Sequence, residues 1–198
     1  RDRLRAVRFA AQLDFEIEPE TFDAVRELAE KIQSVSAERI RDELIKLFCP
    51  PHAARGLDLL RDSNLMAHIL PELLRTINCD QSPDYHPEGT VYNHIRLAME
   101  KLPANAAVTL PWAVLLHDIG KPDTASVGAD DRIHFYGHEK IGAETAEAIL
   151  ERLRFPRKQI DEITFTVRHH MQFKDVPRMR KATLRRLLLR PTFALEPL

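Results

Sequence analysis

An apolar run from Trp112 to Leu116 leads into a His-Asp doublet, His117-Asp118, and then, after Ile119 and Gly120, into Lys121. A helix that is apolar on all sides is normally buried, so any fold of this chain has to wrap other elements around this segment. Asp118 is then carried inward, where a carboxylate is costly unless a cation pairs with it. A divalent metal held by imidazole and carboxylate supplies that pairing and creates a centre for phosphate chemistry. Taken alone, the doublet reads equally well as a surface helix end that happens to carry His and Asp.

What can surround such a helix is set by the rest of the chain. Glycine is scarce, strand-type alternation is nearly absent, and apolar positions recur at helical spacing throughout. The expected fold is all-α, with helices at roughly 2–13, 20–33, 37–48, 53–62, 65–78, 91–102, 108–119, 138–153, 157–171 and 180–190. Pro19 and Ser36 stand where helices begin, and Pro50-Pro51, Pro156 and Pro177 punctuate connections. The polar, turn-rich stretch from Asp123 to Tyr136 has room for one small hairpin at most, or for a loop over the His-Asp doublet. Another polar stretch, Cys79 to Glu88, separates two helical blocks and suggests units of 1–80 and 81–198.

Charge excludes some functions. The 29 Lys and Arg nearly cancel the 30 Asp and Glu, so no whole-molecule field draws the protein to nucleic acid or membrane, and such contact must be local. The longest apolar run, Ala106 to Leu116, is interrupted by Thr109 and Pro111 and is too short to span a bilayer. Cys49 and Cys79 are expected as reduced core thiols, and without a signal-peptide pattern the expected location is cytoplasmic. The chain opens on Arg1 without methionine, so a fragment is expected.

Nine histidines are too many to be ligands together, and helical phase sorts them. At about 100° per residue, His138 shares a stripe with Ile141, Gly142, Thr145, Ala146, Ile149 and Leu153, opposite a run of Glu and Lys. The small residues on that stripe allow close packing. His94 lies with Val91, Ile95, Ala98 and Leu102. His170 borders the stripe of Ile160, Ile163, Thr164 and Val167, whereas His169 falls off it. One inward histidine is more often a satisfied core residue than a ligand. Three on separate helices, with His117-Asp118 on a fourth, favour a metal set. His134 is a weaker candidate to line the site, His86 reads as structural, and His52 and His68 read as ordinary positions.

The ordered pattern of His94, His117-Asp118, His138 and His169-His170 resembles the HD superfamily of metal-dependent phosphohydrolases. The segments His86-Pro-Glu-Gly-Thr-Val-Tyr-Asn-His94 and Arg132-Ile-His-Phe-Tyr-Gly-His-Glu139 are similar to the HD domain of bacterial tRNA nucleotidyltransferases (CCA-adding enzymes) and poly(A) polymerases. Arg5-Ala-Val-Arg-Phe-Ala-Ala11, Phe15-Glu-Ile17 and Arg39-Ile-Arg-Asp-Glu-Leu44 resemble the helical neck that follows the polymerase head in that family. The resemblance covers almost the whole chain. It implies a helical neck packed on an HD-type helical bundle, a divalent metal (Mn, Ni, Mg, Co, Fe or Zn), and RNA, above all tRNA, as partner.

The sequence departs from the family in three places. The head's Gly-Ser turn, D-x-D carboxylate pair and R-R-D motif are absent. The base-reading E-D-x-x-R motif is in register only if its Glu and Asp precede Arg1, which puts Asp2 in the place of its Arg. The usual final metal-binding Asp has no convincing counterpart, since Asp175 follows His170 by five residues in an expected loop.

In the implied centre His94, His117 and Asp118 hold a first metal, and His138 and His170, with His169, hold a second. Asp118 and Lys121 are the expected catalytic residues, Lys121 gripping a substrate phosphate or instead satisfying a helix dipole. The expected reaction is hydrolysis of a phosphomonoester or phosphodiester, on a small molecule or an RNA end. Removal of Asp118 is expected to spare the fold, or to stabilise the metal-free form by deleting a buried charge. The expected RNA contacts are Arg5 and Arg8 near the start, and Arg178, Arg180, Lys181, Arg186 and Arg190 in a basic stretch. Two other readings stay open, a non-catalytic RNA-binding scaffold and an independent HD nucleotidase.

Overall fold

The computed structural model describes residues 2–129 and 131–173. The expected helix at 180–190, Asp175, and the proposed RNA contacts Arg178, Arg180, Lys181, Arg186 and Arg190 lie outside the described residues.

The first block contains α1 (Asp2–Leu13), α2 (Pro19–Glu27), a 3-10 turn at Ala29–Ser34, α3 (Ala37–Leu47), α4 (Ala53–Asp62), α5 (Leu65–Ile69) and α6 (Pro71–Ile77). Pro19 opens α2 as expected, and the Glu18 carboxylate accepts from the backbone N–H groups of Glu20 and Thr21. Ser36 occupies the N-cap position of α3, though its hydroxyl makes no capping bond. The single helix expected over 65–78 is two. Leu70, forced out of helical geometry by the ring of Pro71, sits at φ −134° and ψ 58°. The helix expected over 20–33 also divides, at Leu28, into α2 and the 3-10 turn.

The second block contains α7 (Val91–Glu100), α8 (Thr109–Leu116), α9 (Lys121–Thr124), α10 (His138–Arg152) and α11 (Arg157–Phe173). Between α9 and α10 stands the small hairpin, β1 (Ala125–Val127) antiparallel to β2 (Ile133–Phe135), with Ala125 opposite Phe135. Among the described residues this is the only sheet, and the protein is all-α apart from it. No described helix is long and apolar enough to cross a membrane.

The apolar run behaves as its composition requires. Pro111, Trp112, Ala113, Leu115 and Leu116 of α8 are all buried, under α7, α10 and α11. Trp112 meets Phe48, just past α3, edge-on at 5.6 Å between ring centroids, and Phe155, before α11, at 4.8 Å. One hydrophobic core therefore runs from Leu4 in α1 to Val167 in α11 across both helical blocks. Of the two cysteines, Cys79 is buried as expected and Cys49 is exposed; both are free thiols. Cys49 stands beyond the C-cap of α3, Phe48, outside the helix.

Candidate metal centre

Asp118 lies just past the end of the buried α8 and is 2% exposed. The chain there is pressed onto α10 by two glycines. A Cβ added at Gly120 would stand 2.4 Å from the His138 carbonyl oxygen and 2.5 Å from the Gly142 nitrogen. Gly142 in turn faces the Gly120 nitrogen and the His117 carbonyl. This backbone-to-backbone approach is what brings His138, at the start of α10, onto the His-Asp segment.

Four imidazoles from four elements then surround one carboxylate. Asp118 Oδ2 is 3.1 Å from His117 Nε2 and 3.7 Å from His94 Nε2. Its Oδ1 is 3.4 Å from His138 Nε2 and 3.6 Å from His170 Nε2. Two groups of three ligand atoms result, His94-His117-Asp118 and Asp118-His138-His170, with Asp118 common to both.

The opposite ring nitrogens decide what the Nε2 atoms carry. His117 Nδ1 donates to the Val114 carbonyl at 2.7 Å, His138 Nδ1 to that of Phe135 at 2.7 Å, and His170 Nδ1 to that of Val167 at 2.6 Å. A neutral ring with its proton on Nδ1 presents a bare lone pair at Nε2. Yet His138 Nε2 and His170 Nε2 stand 3.1 Å apart, beside a carboxylate. Lone pairs at that separation repel unless a cation or a proton lies among them. The donor set therefore fits a divalent ion, with Nδ1 held by outer partners as in metal-binding histidines generally.

Without a metal, protons take that part. Burial works to raise the Asp118 carboxyl, but the His117 charge and hydrogen bonds from His117, His138 and His170 hold it well below the ordinary carboxylate range. Burial works to lower His117, and the Asp118 charge and hydrogen bond overcome it and raise it. Burial lowers His94 despite a hydrogen bond to Glu88 that works the other way. A raised His117 makes a stabilising contribution that is complete below about pH 6.5 and is lost as pH rises through its higher folded value. Metal binding needs the same nitrogen deprotonated and therefore strengthens as pH rises. Melting temperatures between pH 6 and 9 should accordingly fall in a chelator and rise with excess divalent metal. Parallel curves would show that no ion competes for His117.

Lys121 is 6% exposed and ends 2.8 Å from Asp118 Oδ2 and 2.6 Å from Gln81 Oε1. It begins α9, so it does not satisfy a helix C-terminus; its ammonium lies against the carboxylate and over the Phe135 ring. Above the centre is a cavity of about 590 Å³, lined by His94, His117, Asp118, Lys121, His138 and His170 at its base. Tyr85, His86, Arg132, His134 and Tyr136 supply other parts of its wall. His134 and Tyr136 stack with planes 10° apart, and Arg132 is ion-paired with Asp84 at 3.1 Å, tying hairpin to loop.

Two residues lie apart from the positions expected from the sequence. His169 is outside both ligand groups; it points back to the Phe165 carbonyl at 2.8 Å and stacks on the Phe165 ring, one helical step away from the face His170 uses. Arg8 does not share Arg5's outward face. It is buried, and its Nε donates to Glu43 at 2.7 Å, tying α1 to α3. Sequence reading also missed Glu88 and Gln81 and left His86 structural. The polar stretch that holds all three looked like a linker. It is instead a tight loop closed by the Asp80–Thr90 bridge and the Gln81 N–H to Gly89 carbonyl bond.

Two family models match the chain. Residues 14–76 match the "Probable RNA and SrmB- binding site of polymerase A", and residues 84–191 match the HD domain. The chain is 33% identical over 94% of its length to the multifunctional CCA protein of Azoarcus sp., and 37% identical over 84% to the A-adding tRNA nucleotidyltransferase of Deinococcus radiodurans. It is also 35% identical over 94% to the CC-adding tRNA nucleotidyltransferase of Thermus thermophilus. It spans 46%, 40% and 44% of the lengths of these three relatives. A polymerase A-type neck leads directly into four histidines arranged about a buried Asp118, and the chain belongs to the HD-domain family, in the neck-plus-HD arrangement of the bacterial tRNA nucleotidyltransferases.

Proposed function

We propose that this chain is the neck and HD portion of an RNA-processing protein of the tRNA nucleotidyltransferase type, and that its HD centre hydrolyses phosphoesters with a divalent metal. The observation that carries the reading is the convergence of four Nε2 atoms on Asp118 with three opposite nitrogens tied to carbonyls. Mixed imidazole and carboxylate donors suit Mn, Ni, Fe, Co or Zn, with Mg acceptable where carboxylates and waters dominate. When bound, the ion supplies a water of lowered pKa and polarises the phosphoryl oxygen. Asp118, with one oxygen toward each histidine pair, is placed to bridge two ligand groups. Lys121 at the cavity floor adds a positive charge for a substrate phosphate. The Tyr136–His134 stack and Tyr85 at the wall offer flat surfaces for a base. Water would add to phosphorus and the ester P–O bond break, with the proton given up by the water ending on the leaving alkoxide.

A non-catalytic scaffold is favoured by one observation, the Lys121–Asp118 pair, which neutralises the buried carboxylate without an ion. Metal analysis of the purified protein, with chelator-sensitive hydrolysis of a 2′,3′-cyclic nucleotide, separates the two. Stoichiometric metal and turnover support the hydrolase; absence of both leaves the scaffold.

The proposed partner is tRNA. Nucleotide addition is not expected from this chain alone, because its sequence contains no head-type carboxylate pair. Among the described arginines proposed for RNA, Arg5 is exposed. Arg5→Ala should reduce the slope of log affinity against log salt by about one phosphate contact. Arg8→Ala should leave that slope unchanged and destabilise the fold by roughly 3 kcal/mol, since Glu43 is left buried and unpaired. Filter binding at several salt concentrations and urea melts check both. Equal salt slopes for the parent and Arg5→Ala would remove Arg5 from the interface.

A further inference from the structure

Beside the Asp118 centre lies a third group of ligand-type side chains, His86, Glu88 and His94. Glu88 Oε1 is 2.5 Å from His94 Nδ1 and 3.0 Å from His86 Nδ1, and the two rings meet edge to face at 4.8 Å. A carboxylate at neutral pH has no proton to donate, so both Nδ1 atoms must carry theirs. An ion held by this group would have to displace the protons from both Nδ1 atoms.

We propose that Glu88 is a positioning residue for the metal centre: one carboxylate oxygen fixes His94 and His86 as Nδ1–H tautomers, so that His94 presents Nε2 to Asp118 and His86 adds an imidazole acceptor to the cavity wall. The inference rests on the metal-centre reading for its consequence, while the tautomers themselves do not depend on it. The other three cluster histidines take their Nδ1 partners from backbone carbonyls within their own segments. His94 has Glu88 in that role, six residues earlier in the chain. Gly89 makes this possible: its φ of +89° turns the chain back between Glu88 and α7, a conformation other residues rarely adopt. The Glu88 backbone is itself held, its carbonyl accepting from Asn93 Nδ2 at 3.0 Å, and Val91 N–H bonds the Cys79 carbonyl at 2.9 Å. The carboxylate thus sits on a braced loop, and 14% of its side chain is exposed. His86, with Nδ1 spent, keeps Nε2 as the acceptor of its ring, in a side chain that lines the cavity.

The test compares the parent with Glu88→Ala, Glu88→Leu and Glu88→Gln. Long-range proton–nitrogen NMR of the metal-free protein reads the histidine tautomers directly. The parent should show Nδ1–H at His86 and His94. Ala and Leu should release both, and Gln, whose amide oxygen still accepts, should retain them. Cobalt titration of the same proteins should show a 10–100-fold weaker affinity and an altered visible spectrum for Ala and Leu, with Gln close to the parent. If Ala does not fold, Leu fills the same space and carries the comparison. Unchanged tautomers in Ala or Leu would overturn the proposal, as would unaltered cobalt affinity. If the parent binds no cobalt, the metal-centre reading falls, and the tautomers still decide the role of Glu88.

Discussion

Asp118→Ala should abolish metal binding and any hydrolysis, because it removes the one carboxylate that both ligand groups share. A drop of at least a hundredfold in metal affinity, read by titration, is the expected result. Hydrolysis unchanged in this variant would leave only the scaffold reading. The stability effect reverses the expectation from sequence, where deleting a buried charge was expected to spare or help the metal-free fold. Lys121 is buried against Asp118 at 2.8 Å. Removing one partner of such a pair costs about 3–5 kcal/mol because the other charge is left uncompensated. Gln81 still accepts from Lys121, so the low end, roughly 3 kcal/mol, is expected in urea melts. The double variant Asp118→Ala with Lys121→Met should recover much of that loss without recovering metal.

Gly120→Ala should be as damaging from one methyl group. The added Cβ meets backbone on all three nearest sides: the His138 carbonyl at 2.4 Å, the Gly142 nitrogen at 2.5 Å and the Gly142 Cα at 2.9 Å. None of these is a side-chain end that can swing aside. The loop carrying Asp118 has to part from α10, and His138 moves with α10. Overpacking of this kind costs about 3 kcal/mol or more. A lowered melting point should therefore come with weakened metal binding. Gly142→Ala is the control: its nearest neighbour would be 3.3 Å away, so a loss of about 1 kcal/mol is expected. Equal stability of Gly120→Ala and the parent would show that the close approach does not hold the centre together.

The fold was largely legible in the sequence because its signals are local. An all-apolar segment has to be buried, helical phase sets which side faces inward, and prolines mark the breaks. That reasoning gave α8 its central place, the small hairpin its segment, and His94, His138 and His170 their inward faces. It failed where a local rule was applied too loosely, as at Leu70, where Pro71 ends a helix that apolar spacing alone carries through.

The site was legible only in part. Residues at each helical phase are fixed by geometry within one element, so the cluster around Asp118 could be anticipated from separate stripes. What each polar atom does is set by partners distant in sequence, and no periodicity encodes those. Arg8 borders the buried stripe of Leu4, Val7 and Ala11, and only the packed fold shows that Glu43, 35 positions later, takes its charge inward. Helical phase puts Lys121 near the His-Asp doublet, but that Asp118 and Gln81, 40 positions earlier, both hold its ammonium is seen only in the packed fold. Glu88 lies in a segment with no helical or strand pattern at all, and its meaning comes from a turn at Gly89 that folds it back on His94. Sequence alone determined which elements form and which faces they bury, since both depend on neighbours a few residues away. Tertiary structure alone decided which charges pair and which ring nitrogen each histidine presents, because those depend on contacts the chain makes only once its helices have packed.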